Sequence, residues 1–178
     1  GMFSANVWQL FDARPVIGRF FTAAEDIPPE GTNVAVLGYR YWQSAYGGRA
    51  DVLGKQVQIG RFDYTIIGVA PRGFVGFFDE APVAFIPVTS GGNNVYAPRM
   101  PIDALHPQAR VRWSDTYHLT WVKLVARRKP GVTVAAAEAD LSRAYTRSYE
   151  SQVATGRNET PLVDARPRAI AGPVQHER

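Results

Sequence analysis

The stretch from residue 34 to residue 71, VAVLGYRYWQSAYGGRADVLGKQVQIGRFDYTIIGVAP, constrains this chain most, because its apolar periodicity changes three times and glycine marks each change. Val34, Ala35, Val36 and Leu37 make a short unbroken apolar run rich in β-branched residues, the pattern of a strand buried on both faces. After Gly38, the residues Tyr41, Trp42, Ala45 and Tyr46 recur on one side of a helix of about two turns, which Gly47 and Gly48 end by supplying left-handed conformations. KQVQI then alternates polar and apolar residues, and FDYTIIGVA follows across Gly60 and Arg61, a two-residue connection suited to a tight hairpin. A strand, a short helix and an antiparallel pair are predicted, with Tyr41, Trp42 and Tyr46 packing on Val57, Ile59 and Ile66. A helix this short is held by its buried face and not by its length.

The flanks are less regular. Residues 3–21 are dense in aromatic and apolar side chains, with a helical turn expected over residues 6–11, a break at Arg14-Pro15 and a bend at Gly18. Residues 22–33, with two prolines, a glycine and three acids, read as a surface loop. Residues 71–80 form a glycine-punctuated loop carrying Phe74, Phe77 and Phe78. These rings either tuck into the core or remain exposed as a contact surface. Residues 90–118 hold Gly91-Gly92-Asn93-Asn94 and three prolines without a sustained period, and irregular segments of this length are usually functional or mobile. Alternation over residues 119–127 predicts a strand, Pro130-Gly131 a turn and Thr133 a cap for a helix over 134–152. That helix has Val134, Ala137, Leu141, Ala144 and Tyr145 on its apolar stripe. A short strand is expected over 161–166, then a loose tail.

The chemistry inventory is thin. The chain has no cysteine, which excludes a disulfide framework, a thiolate zinc site and a cysteine nucleophile. His106, His118 and His176 show no spacing that places two ligands on one helix face. The pairs Glu25-Asp26 and Asp79-Glu80 lie in loops, and paired carboxylates do acid and base work only when burial separates their pKa values. There is no nucleophile elbow and no phosphate loop, and GGRADVLG precedes a strand instead of opening a helix, so it is no dinucleotide fingerprint. The 20 Lys and Arg residues are dispersed among 16 acids, and the longest basic run, Arg127-Arg128-Lys129, reads as a solvated strand end, not as a nucleic-acid surface. No catalytic residue, cofactor site or metal site is assigned. No run approaches the roughly 20 apolar residues of a membrane span, and Gly1 before Met2 reads as a cloning remnant.

Taken together, VAVLGYRYWQ, YGG, DVLGKQVQI and YTIIGVAP resemble the MacB-like periplasmic core domain, the extracytoplasmic module of MacB- and FtsX-like ABC-transporter permeases. FDARPVIGRFFTAAED upstream, VAFIPVT at 83–89 and VKLVARRKPGVTVAAAEADL at 122–141 extend the resemblance in the same order. It implies an α+β fold, mixed and mainly antiparallel, with short helices. Two subdomains are expected: a β-rich lobe over 1–118 and an incomplete strand-helix lobe over 119–178. It also implies a non-catalytic periplasmic domain at the inner membrane, tied through transmembrane segments to an ABC ATPase subunit or domain. A periplasmic adaptor or substrate protein is a possible partner, and a pocket for a lipid or peptide is the alternative reading. Candidate contact residues are Phe74, Phe77, Phe78, Asn93, Asn94, Tyr96 and Arg99. In such domains a further strand and helix precede the segment matched by residues 3–21 and pack with the closing strand and helix, so a second copy of the chain is expected to cover that face as a homodimer.

Overall fold

The computed structural model describes residues 1–96, 123–154 and 160–172, which fall in two compact units, Gly1–Ser114 and Asp115–Arg178. The fold is α+β. In the first unit the strands are β1 (Met2–Phe3), β2 (Ile17–Gly18), β3 (Val34–Leu37), β4 (Gln56–Ile59), β5 (Phe62–Val69) and β6 (Ala84–Pro87). The sheet order is β1-β6-β3-β5-β2, with β4 also paired to β5. Pairing is mixed: β1 with β6 and β3 with β5 run parallel, whereas β5 is antiparallel to β2 and β4, and β3 to β6. The short helices are α1 (Val7–Leu10), α2 (Tyr39–Tyr46) and α3 (Val88–Gly91), and a π turn over Gly92–Tyr96 follows α3 directly.

The run VAVL sits at the centre of the sheet because every side chain in it can be buried, two on each face. Ala35 and Leu37 join Trp42, Val52, Val57, Tyr64, Ile66, Ala84 and Ile86 on one side, with Tyr41, Tyr46 and Ile59 packed against them. Val34 and Val36 join Phe3, Val7, Trp8, Phe21, Ala70 and Phe85 on the other. The expected packing of α2 on the hairpin is therefore present. Ile59 pairs with Phe62 across Gly60, and α2 stops at Gly47 and Gly48, both with positive φ. A bulge in β5 shifts the register between Ala35 opposite Ile66 and Val36 opposite Gly68. The extra residue reverses the alternation, which is why Ile66 and Val69, three apart, share one core.

Residues 90–96, expected to begin an irregular loop, are instead helical, with Thr89 and Ser90 buried. The cause is a cap from elsewhere in the chain: the Asp26 carboxylate accepts from the Thr89 backbone N–H at 3.2 Å and from its hydroxyl at 2.7 Å. A reading of local turn residues cannot see an acceptor so far away in sequence. The rest of that loop, with His106 and His118, lies outside the described residues, as does His176.

The second unit is built on α4 (Val134–Ala154) and α5 (Leu162–Ala165). The Ala136 N–H donates to Thr133 Oγ1 at 3.1 Å, the cap that the sequence indicates. Two expectations are corrected here. Of the strand predicted over 119–127, residues 119–122 lie outside the described residues and residues 123–129 form no strand. No described strand runs beside them, and alternation supplies no hydrogen-bonded ladder by itself; Leu124 is 78% exposed. The strand predicted over 161–166 is the helical turn α5, started after Pro161, carrying Asp164 in its first turn and ended by Arg166 in the left-handed region. The tail is also seated: Tyr149 donates its hydroxyl to the Thr160 carbonyl, Thr146 to that of Pro167 and Ser142 to that of Ala169, at 3.2–3.3 Å. Ser142, Thr146 and Tyr149 lie at helical spacing, so a stripe of hydroxyls receives the returning chain. Tyr149 is buried, whereas Tyr145 and Val134 of the predicted stripe are exposed.

Candidate interaction surface

The loop after β5 makes two tight turns, with the Phe74 N–H bonded to the Pro71 carbonyl and the Phe78 N–H to the Val75 carbonyl. These turns aim the three phenylalanines differently. Phe74 is directed inward, its ring 5.3 Å from Trp8, 5.4 Å from Phe85 and 5.5 Å from Phe11. Phe77 lies 4.9 Å from Phe11, and Phe78 lies 6.4 Å from Phe3. Phe3 and Trp8 meet edge to face at 5.0 Å, so the rings form one continuous run. Its ends are open to solvent: Phe11 is 40% exposed, and Phe77 and Phe78 are 38% exposed each. The three rings therefore divide, with Phe74 partly buried against the core and Phe77 and Phe78 exposed at a rim. Phe11 stands at the rim because α1 ends at Leu10, just before it.

Asn93 and Asn94 are engaged within the chain. The Asn93 amide donates to the Pro29 carbonyl, and that of Asn94 to Asn33 Oδ1 at 2.7 Å and to the Tyr64 hydroxyl at 3.1 Å. Arg99 and the side chain of Tyr96 lie outside the described residues. An open depression of about 400 Å³ is lined by Ala45, Tyr46, Gly47, Arg49, Asp51 and Lys55. Its charges satisfy one another: Asp51 takes Lys55 at 3.2 Å and Arg49 at 2.7 Å, and these two hold its carboxyl below the usual range, the Lys55 hydrogen bond first. It offers no convergent set for chemistry.

The acids at 25 and 26 serve structure. Arg19 grips Glu25 through two hydrogen bonds of 2.8 Å, and the Thr22 N–H adds a third at 2.9 Å. The Arg19 hydrogen bonds come first in bringing the Glu25 carboxyl from 4.5 down to about 2, against the opposing effect of burial. Since the folded pKa is the lower one, the pair stabilises fully above pH 4.5 and loses that contribution as pH falls toward 2. Solvent screening of the half-exposed Arg19 limits its worth to about 1 kcal/mol. Urea titrations of the chain and of Glu25→Gln should differ by that amount near neutral pH and converge in the acid limb; a constant gap would contradict the assignment.

Three comparisons bear on this architecture. The family model described as the MacB-like periplasmic core domain matches residues 1–144. The macrolide export ATP-binding/permease protein MacB of Chlorobaculum tepidum is 39% identical over 79 residues, which is 44% of this chain and 12% of that protein. Its counterpart from Chlorobium phaeobacteroides is 38% identical over 77 residues, 43% of this chain and 11% of that one. The aligned stretch thus spans about an eighth of the length of these curated relatives. The crystal structure of the periplasmic region of MacB from Actinobacillus actinomycetemcomitans superposes with a TM-score of 0.50, covering 89% of this chain and 64% of that one at 14% identity. That likeness speaks to the fold alone. With its mixed sheet and the match over most of its length, the chain belongs to the MacB-like periplasmic core domain family, and it is a domain of an ABC-transporter permease on the periplasmic face of the inner membrane.

Proposed function

We propose that the domain performs no chemistry of its own and acts by protein contact, passing conformational change between the permease and a periplasmic partner during export or release of a substrate. Its ATPase is a separate subunit or domain reached through the membrane part, and the periplasmic partner is an adaptor or the substrate protein. The observation that carries this reading is the continuous aromatic run from the exposed Phe11, Phe77 and Phe78 to the buried Phe85 on the central sheet. Exposed aromatic rings backed by a rigid core suit contact anchors, which pack at little entropic cost. The likeness of the chain to export permeases supports the transport setting, while function still has to be argued from the site.

Placing a photocrosslinking amino acid at Phe77 or Phe78 in the full permease, in cells, tests the proposal. Adducts with a periplasmic protein are expected at both positions and absent at exposed Gln58 on β4. Equal labelling at Gln58, or none at the rim, would count against this contact surface.

A further inference from the structure

Each end of the aromatic run has carboxylates beside it. Asp12 follows Phe11, and Asp79 and Glu80 follow Phe78; all three are exposed. Glu25, Asp26 and Asp51, also in the first unit, hold structural partners. Among the described residues the side chains of Asp12, Asp79 and Glu80 hold none. Asp12 stands at φ 49°, in the left-handed region where glycine or asparagine would close α1 at lower cost. Its backbone N–H, not its carboxylate, makes the closing bond, to the Gln9 carbonyl at 3.2 Å. No bond within the described residues calls for these three charges. The nearest arginines along the chain, Arg14 and Arg72, stand three residues from Phe11 and five from Phe77. The loop bearing Phe77 and Phe78 turns on Gly73 and Gly76, at φ +77° and +63°, with Gly76 seated against Phe3. A surface already held in shape binds without the cost of ordering a loop.

We propose, resting on the reading of this rim as a contact surface, that it takes a basic amphipathic protein segment. Apolar side chains of that segment sit on Phe11, Phe77 and Phe78, and its Lys or Arg residues meet Asp12, Asp79 and Glu80. Apolar contact at the centre of an interface supplies affinity, and charge at its edge selects the partner. The chain as a whole carries a net charge of +4, so its average field repels a basic partner and the preference has to arise locally at the rim. An anionic membrane surface fits less well, because the same three carboxylates would stand against its phosphates.

Two fluorescent peptides of one leucine pattern, the first carrying lysines and the second glutamates, serve as probes, with fluorescence anisotropy reporting their binding to the chain. The lysine peptide should bind at least about tenfold more tightly at low salt, the joint effect of three exposed charges, and the gap should narrow as salt is raised. Asp79→Asn combined with Glu80→Gln should cut that preference to about threefold or less, whereas Asp63→Asn, at an exposed position on β5, should leave it unchanged. Phe77→Ala should weaken both peptides alike. Equal affinity for the two peptides, a preference for the glutamate peptide, binding of neither, or a preference that survives the loss of Asp79 and Glu80 would overturn the proposal. Tighter binding to phosphatidylglycerol vesicles than to the lysine peptide, lost in Phe77→Ala, would overturn it too and assign the rim to a membrane. Crosslinking at Phe77 or Phe78 reports contact whatever the charge of the partner, so adducts without a charge preference would sink this proposal and leave the contact surface standing.

Discussion

Replacing Trp42 with alanine is expected to lower the stability of the first unit by about 3–5 kcal/mol, the range for removing a large buried aromatic side chain. The indole is 6% exposed and packs in the core that contains Leu37, Val57, Tyr64 and Ile66. Its Nε1–H donates to the Arg49 carbonyl at 2.9 Å, tying the end of α2 to the chain that leads into β4, and its ring meets Tyr39 edge to face at 5.7 Å. Alanine would leave a cavity and an unpaired carbonyl together. Since α2 has only two turns, it has no independent stability to fall back on, so the far-ultraviolet signal should melt earlier as well. Chemical denaturation followed by circular dichroism measures both effects. An unchanged midpoint would mean that α2 is an accessory and that the hairpin core closes without it.

What could be read from the sequence was the part whose partners are near in sequence. Val34 to Leu37, the face of α2 and the Gly60 hairpin settle their own conformations, and their apolar residues choose the core with little alternative. The Thr133 cap belongs to the same class. The helical state of residues 88–96 does not, because the acceptor that caps α3 is Asp26, and the amides of Asn93 and Asn94 meet Pro29, Asn33 and Tyr64. Glycines and asparagines there look like loop residues until Asp26, Pro29, Asn33 and Tyr64 supply their bonds. The second unit shows the opposite error. The alternation that continues through residues 123–127 and the segment 161–166 look like strands, yet a strand exists only where a neighbour completes its ladder; among the described residues none does, and α4 offers hydroxyls to the returning tail. At the candidate surface the three phenylalanines were visible, but not which of them stays outside. That depends on how two turns orient the loop against Phe3, Trp8 and Phe11.

Phe85→Ala should prove as costly as Trp42→Ala, about 3–5 kcal/mol, and its contrast with the rim separates core from contact surface. Phe85 is fully buried in β6, with ring centroids 5.2 Å from Phe3, 5.4 Å from Phe74 and 5.5 Å from Trp8. Removing it takes away the centre of the aromatic run and empties the face of the sheet on which Val34 and Val36 lie. Phe77 and Phe78 belong to the same run but are more than a third exposed, and among the described residues each has one ring contact, to Phe11 and Phe3 respectively. Their replacement by alanine should cost about 1 kcal/mol or less, the worth of one aromatic pair. Thermal melts of the three variants side by side decide the matter. Were Phe77→Ala or Phe78→Ala to destabilise as much as Phe85→Ala, the rim would be cover for the core and the chain would have its own structural need for those rings. A small loss at both, with a large loss at Phe85, leaves Phe77 and Phe78 as aromatic surface that folding does not require, and their exposure then calls for a partner.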